Sequence, residues 1–146
     1  MKSIVICTGL DQHGLNTLKT LPSKIDLQGV QIHLIHVFEI RFASPEFVPV
    51  IYPVPDQYPA IEKDVLQTLT GLAKDLKLPE NMVVKKCIFS QSRDEVLKDY
   101  LNEVKAELVV VATRGKHGIE GFFASSLADF LCKFSPCDVL VMRPSA

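Results

Sequence analysis

Leu108-Val109-Val110-Val111-Ala112 is apolar throughout, and no polar residue alternates within it. A run of this kind suits a strand enclosed on both faces, as happens where helices cover both sides of a parallel sheet. Immediately before it, Val96, Leu97, Tyr100, Leu101 and Val104 recur at helical spacing; beyond it, Leu127, Phe130, Leu131 and Phe134 do the same, ahead of Pro136 and a last apolar strand, Asp138-Val139-Leu140-Val141-Met142. Further toward the amino end, a strand over 82–90 carries Lys85 and Lys86, which fit an exposed sheet edge. A helix over 60–78 places Ile61, Val65, Leu69, Leu72, Ala73 and Leu76 on one face. A strand over 30–38 precedes it. The chain opens with a strand over 2–8, followed by a helix that starts at Asp11, carries Leu15, Leu18 and Leu21, and ends near Pro22. Strands alternating with helices predict an α/β domain with an open, mostly parallel sheet of five strands and helices on both faces.

At 146 residues the chain is expected to form a single domain, 1–146, with a real hydrophobic core. Its net charge of -1, with both signs dispersed, leaves no electrostatic footprint for a nucleic acid or an anionic membrane. No apolar run reaches the roughly 20 residues that cross a bilayer, and the apolar start ends at Thr8-Gly9, too early for a signal peptide. The expected location is the cytoplasm. Cys7, Cys87, Cys132 and Cys137 lack the paired spacing of a zinc site and are expected to be buried reduced thiols, although Cys132 and Cys137 are near enough in sequence to pair under oxidation. His33 and His36, three apart on a strand, point to opposite faces and make no metal motif.

The stretch 39–59 contains Pro45, Pro49, Pro53, Pro55 and Pro59, and regular structure is not expected in it. It is nevertheless rich in apolar residues, among them Phe47, Val48, Val50, Ile51, Tyr52, Val54 and Tyr58. Such residues need a surface to rest on. A lid over the crevice at the carboxyl end of strand two and a contact with another subunit are alternatives to the expected packing on its own domain.

Ala112-Thr113-Arg114-Gly115, nine further residues and then Ser125-Ser126 resemble the G-x2-G-x9-G-[ST] pattern of the universal stress protein family. The ending Pro136-Cys137-Asp138-Val139-Leu140-Val141-Met142 is similar to that family's close, and the order of elements agrees along essentially the whole chain. The resemblance implies an adenine nucleotide alpha hydrolase-like fold with strand order 3-2-1-4-5, and a crevice where strands one and four diverge. Ligands of open α/β sheets bind outside the carboxyl ends of the strands at such a point. The implied ligand-binding residues are Thr8, Gly9, Val37, Ala112, Arg114, Gly115, Lys116, Gly118, Ser125 and Ser126. The implied ligand is ATP or another adenine nucleotide, held by backbone N–H groups at a helix start, with no metal beyond nucleotide-associated magnesium. A homodimer through Val139, Leu140 and Val141 is implied as well.

Three positions depart from the pattern. Ala112 replaces a glycine and crowds the approach to the backbone. Ser125 replaces another glycine, at a cost of about 1–2 kcal/mol if that position needs positive φ. Thr8 stands where nucleotide-binding relatives carry Asp, and a neutral hydroxyl is a weaker acceptor for ribose hydroxyls. No P-loop, G-x-G-x-x-G or G-x-S-x-G motif occurs, so a Ser-His-Asp hydrolase built from Ser125 or Ser126 with His117 and Asp11 has no nucleophile elbow to stand on. The expected function is a non-enzymatic stress-response domain with a degenerate nucleotide or small-anion crevice. The alternatives are a dimeric protein-interaction module that does not bind ATP, and a weak ATP hydrolase.

Overall fold

The computed structural model describes residues 2–43, 49–113 and 126–144. Five parallel strands form the main sheet: β1 (Ser3–Cys7), β2 (Gln31–Glu39), β5 (Val83–Ser90), β6 (Leu108–Ala112) and β7 (Asp138–Met142), in the order β5-β2-β1-β6-β7. Counted by main-sheet strands alone, this is the expected order 3-2-1-4-5. Two short strands, β3 (Arg41–Ala43) and β4 (Val50–Tyr52), pair antiparallel as a separate ribbon, with Arg41 opposite Tyr52 and Phe42 opposite Ile51. The helices are α1 (Gln12–Leu18), α2 (Tyr58–Asp75), α3 (Arg93–Glu103) and α4 (Ser126–Phe134).

Alternation along the strands divides the core in two. Ile4, Ile6, Ile32, Leu34 and Val110 face Leu18, Val65, Leu69 and Leu72 on α1 and α2. Val5, Cys7, Ile35, Val37, Val109 and Val111 face Leu97 and Leu101 on α3, and Ala128 and Leu131 on α4. Burial on both sides explains why β6 needs no polar residue. Its neighbours are β1, in register Val5 with Val109, and β7, in register Val109 with Val139. β5 takes the edge beyond β2, and Lys85 and Lys86 are exposed on it. No helix among the described residues is long and apolar enough to cross a membrane.

Local signals set the helix ends. Asp11 accepts the Gly14 N–H at 2.9 Å and caps α1. A Cβ on Gly14 would lie 2.9 Å from Asp11 Oδ1, so the capping carboxylate would have to shift. α2 begins at Tyr58, with Pro59 in its first turn where a missing N–H costs nothing. It ends through Lys77 at φ 56°, after which the Leu78 N–H reaches the Ala73 carbonyl at 3.1 Å.

Three expectations need correction. The proline-punctuated stretch is not irregular throughout: β2 runs to Glu39, the β3–β4 ribbon follows, and α2 starts two residues earlier than its apolar stripe suggests. The apolar residues of that stretch pack on the domain only in part: Tyr58 stacks on Phe89, whereas Val50, Ile51, Tyr52 and Val54 are exposed, as is Phe42 at 60%, and Phe47 and Val48 lie outside the described residues. Finally, only Cys7 is a fully buried thiol; Cys87 and Cys137 are half-buried and Cys132 is exposed, because Cys132 lies on the solvent side of α4.

Candidate functional site

A cavity of about 430 Å³ opens at the carboxyl ends of β1 and β2. β1 and its loop supply Cys7, Thr8 and Gly9, and β2 supplies His36, Val37, Phe38 and Glu39. The ribbon adds Arg41 and Tyr52, α3 adds its first residue Arg93, and α4 adds Leu127.

Thr8 anchors the floor. Its N–H donates to the Ile35 carbonyl at 3.0 Å, its Oγ1 accepts the Leu10 N–H at 3.1 Å, and its carbonyl accepts from His36 Nδ1 at 2.7 Å. Burial lowers the His36 pKa from 6.5, against an opposing contribution from that bond to Thr8. The imidazole is therefore neutral near pH 7. Cys7 is pushed up to about 12 by burial, against a lowering contribution from Arg93, and stays a thiol.

One wall is aromatic: the Phe38 ring lies 6.4 Å from Tyr52 and 5.6 Å from Phe89, which is stacked on Tyr58 at 4.0 Å. The other is charged. Arg93 faces Glu39 at 3.5 Å and Asp94 at 3.2 Å, and Arg41 reaches the cavity from the exposed ribbon. Two guanidiniums beside a planar apolar surface can hold an anionic ligand that carries a ring.

Of the expected ligand residues, the structure brings Thr8, Gly9 and Val37 together in this cavity. Ala112 closes β6 half-buried against the α1–α2 core and does not line it. Arg114, Gly115, Lys116, Gly118 and Ser125 lie outside the described residues, and Ser126 is described only as the first residue of α4. Sequence reasoning missed His36, Phe38, Glu39, Arg41, Arg93 and Leu127. The rule placing ligands at strand carboxyl ends points to the residues after β2 and β5 as well as those after β1, so Glu39 and Arg93 were within its reach. Tyr52 belongs to the stretch for which a lid was one alternative, and it does reach the crevice.

A larger cavity, about 660 Å³, sits at the opposite end of the sheet between the α1–β2 and α2–β5 connections. It is lined by Ile25, Leu27, Val30, Leu76, Leu78 and Met82, with Asp26, Asp75 and Lys77 exposed at its rim. It has volume without converging polar groups, and Asp75 is already paired with Lys19 at 3.4 Å.

The sequence model of the universal stress protein family matches residues 1–143. The chain belongs to the universal stress protein family. Universal stress protein E of Escherichia coli (strain K12) is 28% identical over 120 residues, covering 78% of this chain and 35% of that protein. The chain thus spans about one third of the length of the curated relatives it matches. A universal stress protein solved in complex with cAMP superimposes with a TM-score of 0.65 at 18% identity, over 96% of this chain and 94% of that one. The universal stress protein of Archaeoglobus fulgidus in complex with dAMP gives 0.62 at 12% identity, over 97% and 98% of the two chains. At these identities the structures establish the shared fold alone, a five-stranded parallel sheet flanked by helices.

Proposed function

We propose that this universal stress protein domain is non-enzymatic and binds an adenine nucleotide, or another small anion bearing a planar ring, in the cavity above Thr8. The observation that carries this reading is the meeting of Arg41 and Arg93 with the rings of Phe38 and Tyr52 at the carboxyl ends of the strands. It is supported by the fold's likeness to relatives described in complex with cAMP and dAMP. Binding is expected to be weak, because Thr8 brings no carboxylate to the floor. Turnover is not expected: the Cys7 thiol stays protonated and the histidine beside it is held by a backbone carbonyl. Equilibrium dialysis with ATP, AMP and cAMP up to about millimolar concentration, where universal binding costs leave only modest affinity measurable, tests the reading. Saturable binding without phosphate release supports it; no saturation by any of the three overturns it.

A second reading, a dimeric interaction module that does not bind ATP, is favoured by the exposed Phe42 and Ile51 on the ribbon and by the half-buried Val139, Leu140 and Val141 on the edge strand β7. An uncovered edge strand invites antiparallel pairing with a second copy, and a lysine placed there opposes it. Light scattering on the purified protein and on Val139→Lys decides the matter. A dimer that the substitution leaves intact rules out pairing through β7.

A further inference from the structure

We infer that His36 reads a hydroxyl or N–H donor of the ligand through the lone pair on Nε2, the tautomer being set by the Thr8 carbonyl. This rests on the nucleotide reading of the cavity and names the group that would choose among ligands. A carbonyl oxygen only accepts, so the 2.7 Å contact from Nδ1 to Thr8 requires the proton on Nδ1. In the neutral ring Nε2 is then an acceptor and nothing else.

Nε2 is also available. It has no hydrogen-bond partner among the described residues, and the buried side-chain atoms that lack a partner there are His33 Nε2 and Thr113 Oγ1. His36 Nε2 is not one of these, and the half-buried residue lines the cavity. The ring is held in place by its edge-to-face contact with Phe38, at 6.1 Å and 80°. The remaining polar groups complement it. Arg41 and Arg93 can only donate, Glu39 is a charged acceptor paired with Arg93 at 3.5 Å, and Thr8 Oγ1 accepts from Leu10, so Nε2 is the uncharged acceptor beside them. A nucleoside matches Nε2, since its ribose hydroxyls and exocyclic amine are donors, while a phosphate suits the guanidiniums.

Protonation would turn Nε2 from acceptor into donor. Among the described residues, the charged and titratable groups around His36 are Cys7 from β1, Cys87 opposite it on β5 with Glu62 of α2 close to that thiol, Glu39 of its own strand, Arg41 and Tyr52 of the ribbon, and Arg93 of α3. Asp11, at the start of α1, stands near Gly9. Burial pushes the Cys87 thiol up to about 11 and Cys7 to about 12, so neither titrates together with the imidazole. Adenosine carries no phosphate and isolates the acceptor role from attraction between a phosphate and the ring.

The test is a long-range proton–nitrogen NMR titration of the histidine rings with adenosine and with AMP, accompanied by dialysis from about pH 8 downward until the ring nitrogens report protonation. The expected result is a free protein with His36 protonated at Nδ1 only, an Nε2 resonance that moves as adenosine saturates, and, wherever the ring nitrogens report protonation, an adenosine affinity about five- to tenfold lower, the size of one hydrogen bond. His36→Gln, which keeps an acceptor, should bind adenosine with a flat pH profile, and His36→Phe should lose the same five- to tenfold. Should either variant misfold, the titration of the unaltered protein decides alone. Saturable binding that leaves Nε2 unmoved, or adenosine affinity that rises toward acid, overturns the inference and spares the nucleotide reading. No shift at any resonance with either compound overturns both.

Discussion

His33 Nδ1 lies 2.7 Å from the hydroxyl of Tyr100, a buried hydrogen bond that ties β2 to α3 across 67 positions of sequence. Both residues are at most 6% exposed, and the second ring nitrogen of His33 is buried without a partner. Tyr100→Phe keeps the ring and removes the hydroxyl, leaving both imidazole nitrogens unpaired in the core. Urea denaturation should show a loss of about 1–3 kcal/mol. An unchanged midpoint would mean that the bond contributes nothing net.

The two β2 histidines predict a pH dependence of stability. Burial holds the pKa of each below 6.5, with Lys86 adding to the effect at His33. The unfolded chain then binds protons more readily than the folded one as pH drops below 6.5. Stability is full above that value and declines as pH falls toward the two lowered pKa values. Urea midpoints measured across this range should decrease toward acid. His33→Gln should shallow the slope; a midpoint that climbs on acidification would contradict the burial of both rings.

Gly14→Ala should destabilise the domain although alanine favours helix. The added methyl would meet Asp11 Oδ1 at 2.9 Å and displace the carboxylate from the Gly14 N–H. Loss of an N-cap costs about 1 kcal/mol. Thermal melts of Gly14→Ala, Asp11→Ala and the double variant should give losses that do not add, because both changes remove the same cap. Additive losses would separate the glycine from the cap.

Thiol labelling should separate the cysteines by burial. Cys132 is exposed on α4 and should react first with an aromatic disulfide reagent, while Cys7, buried and held as a thiol with a pKa of about 12, should react far more slowly until the protein unfolds. Peptide mapping of the labelled protein reads the order directly. Labelling of Cys7 at the rate of Cys132 would be incompatible with the packing of β1 against α3 and α4.

The parts of the fold legible in sequence were those in which one short-range rule acts without competition. The unbroken apolar run of β6 marks burial on both faces, Lys85 and Lys86 mark the exposed edge at β5, and Asp11 marks the start of α1. The β3–β4 ribbon was hidden because each strand has three residues, too few for a period-two pattern to emerge beside Pro49 and Pro53. The cysteine expectation failed for a related reason: residue type favours burial, but Cys132 follows the buried Leu131 on α4 and is turned outward by the helical period. Within the site, Thr8, Gly9 and Val37 were reachable through strand ends. His36 was not, because its part depends on which backbone carbonyl its ring meets, and strand alternation tells the face of a side chain without naming its partner.

Thr8 has a consequence of another kind. Its main-chain N–H and carbonyl are both committed, one to Ile35 and one to His36, so the contour of the crevice floor is drawn by backbone tied to β2. The side chain at position 8 adds only a local bond to Leu10. Shape and chemical preference are thereby separable at this point: a lineage could exchange the group at position 8, and with it the ligands it favours, while the architecture that presents them stays unaltered.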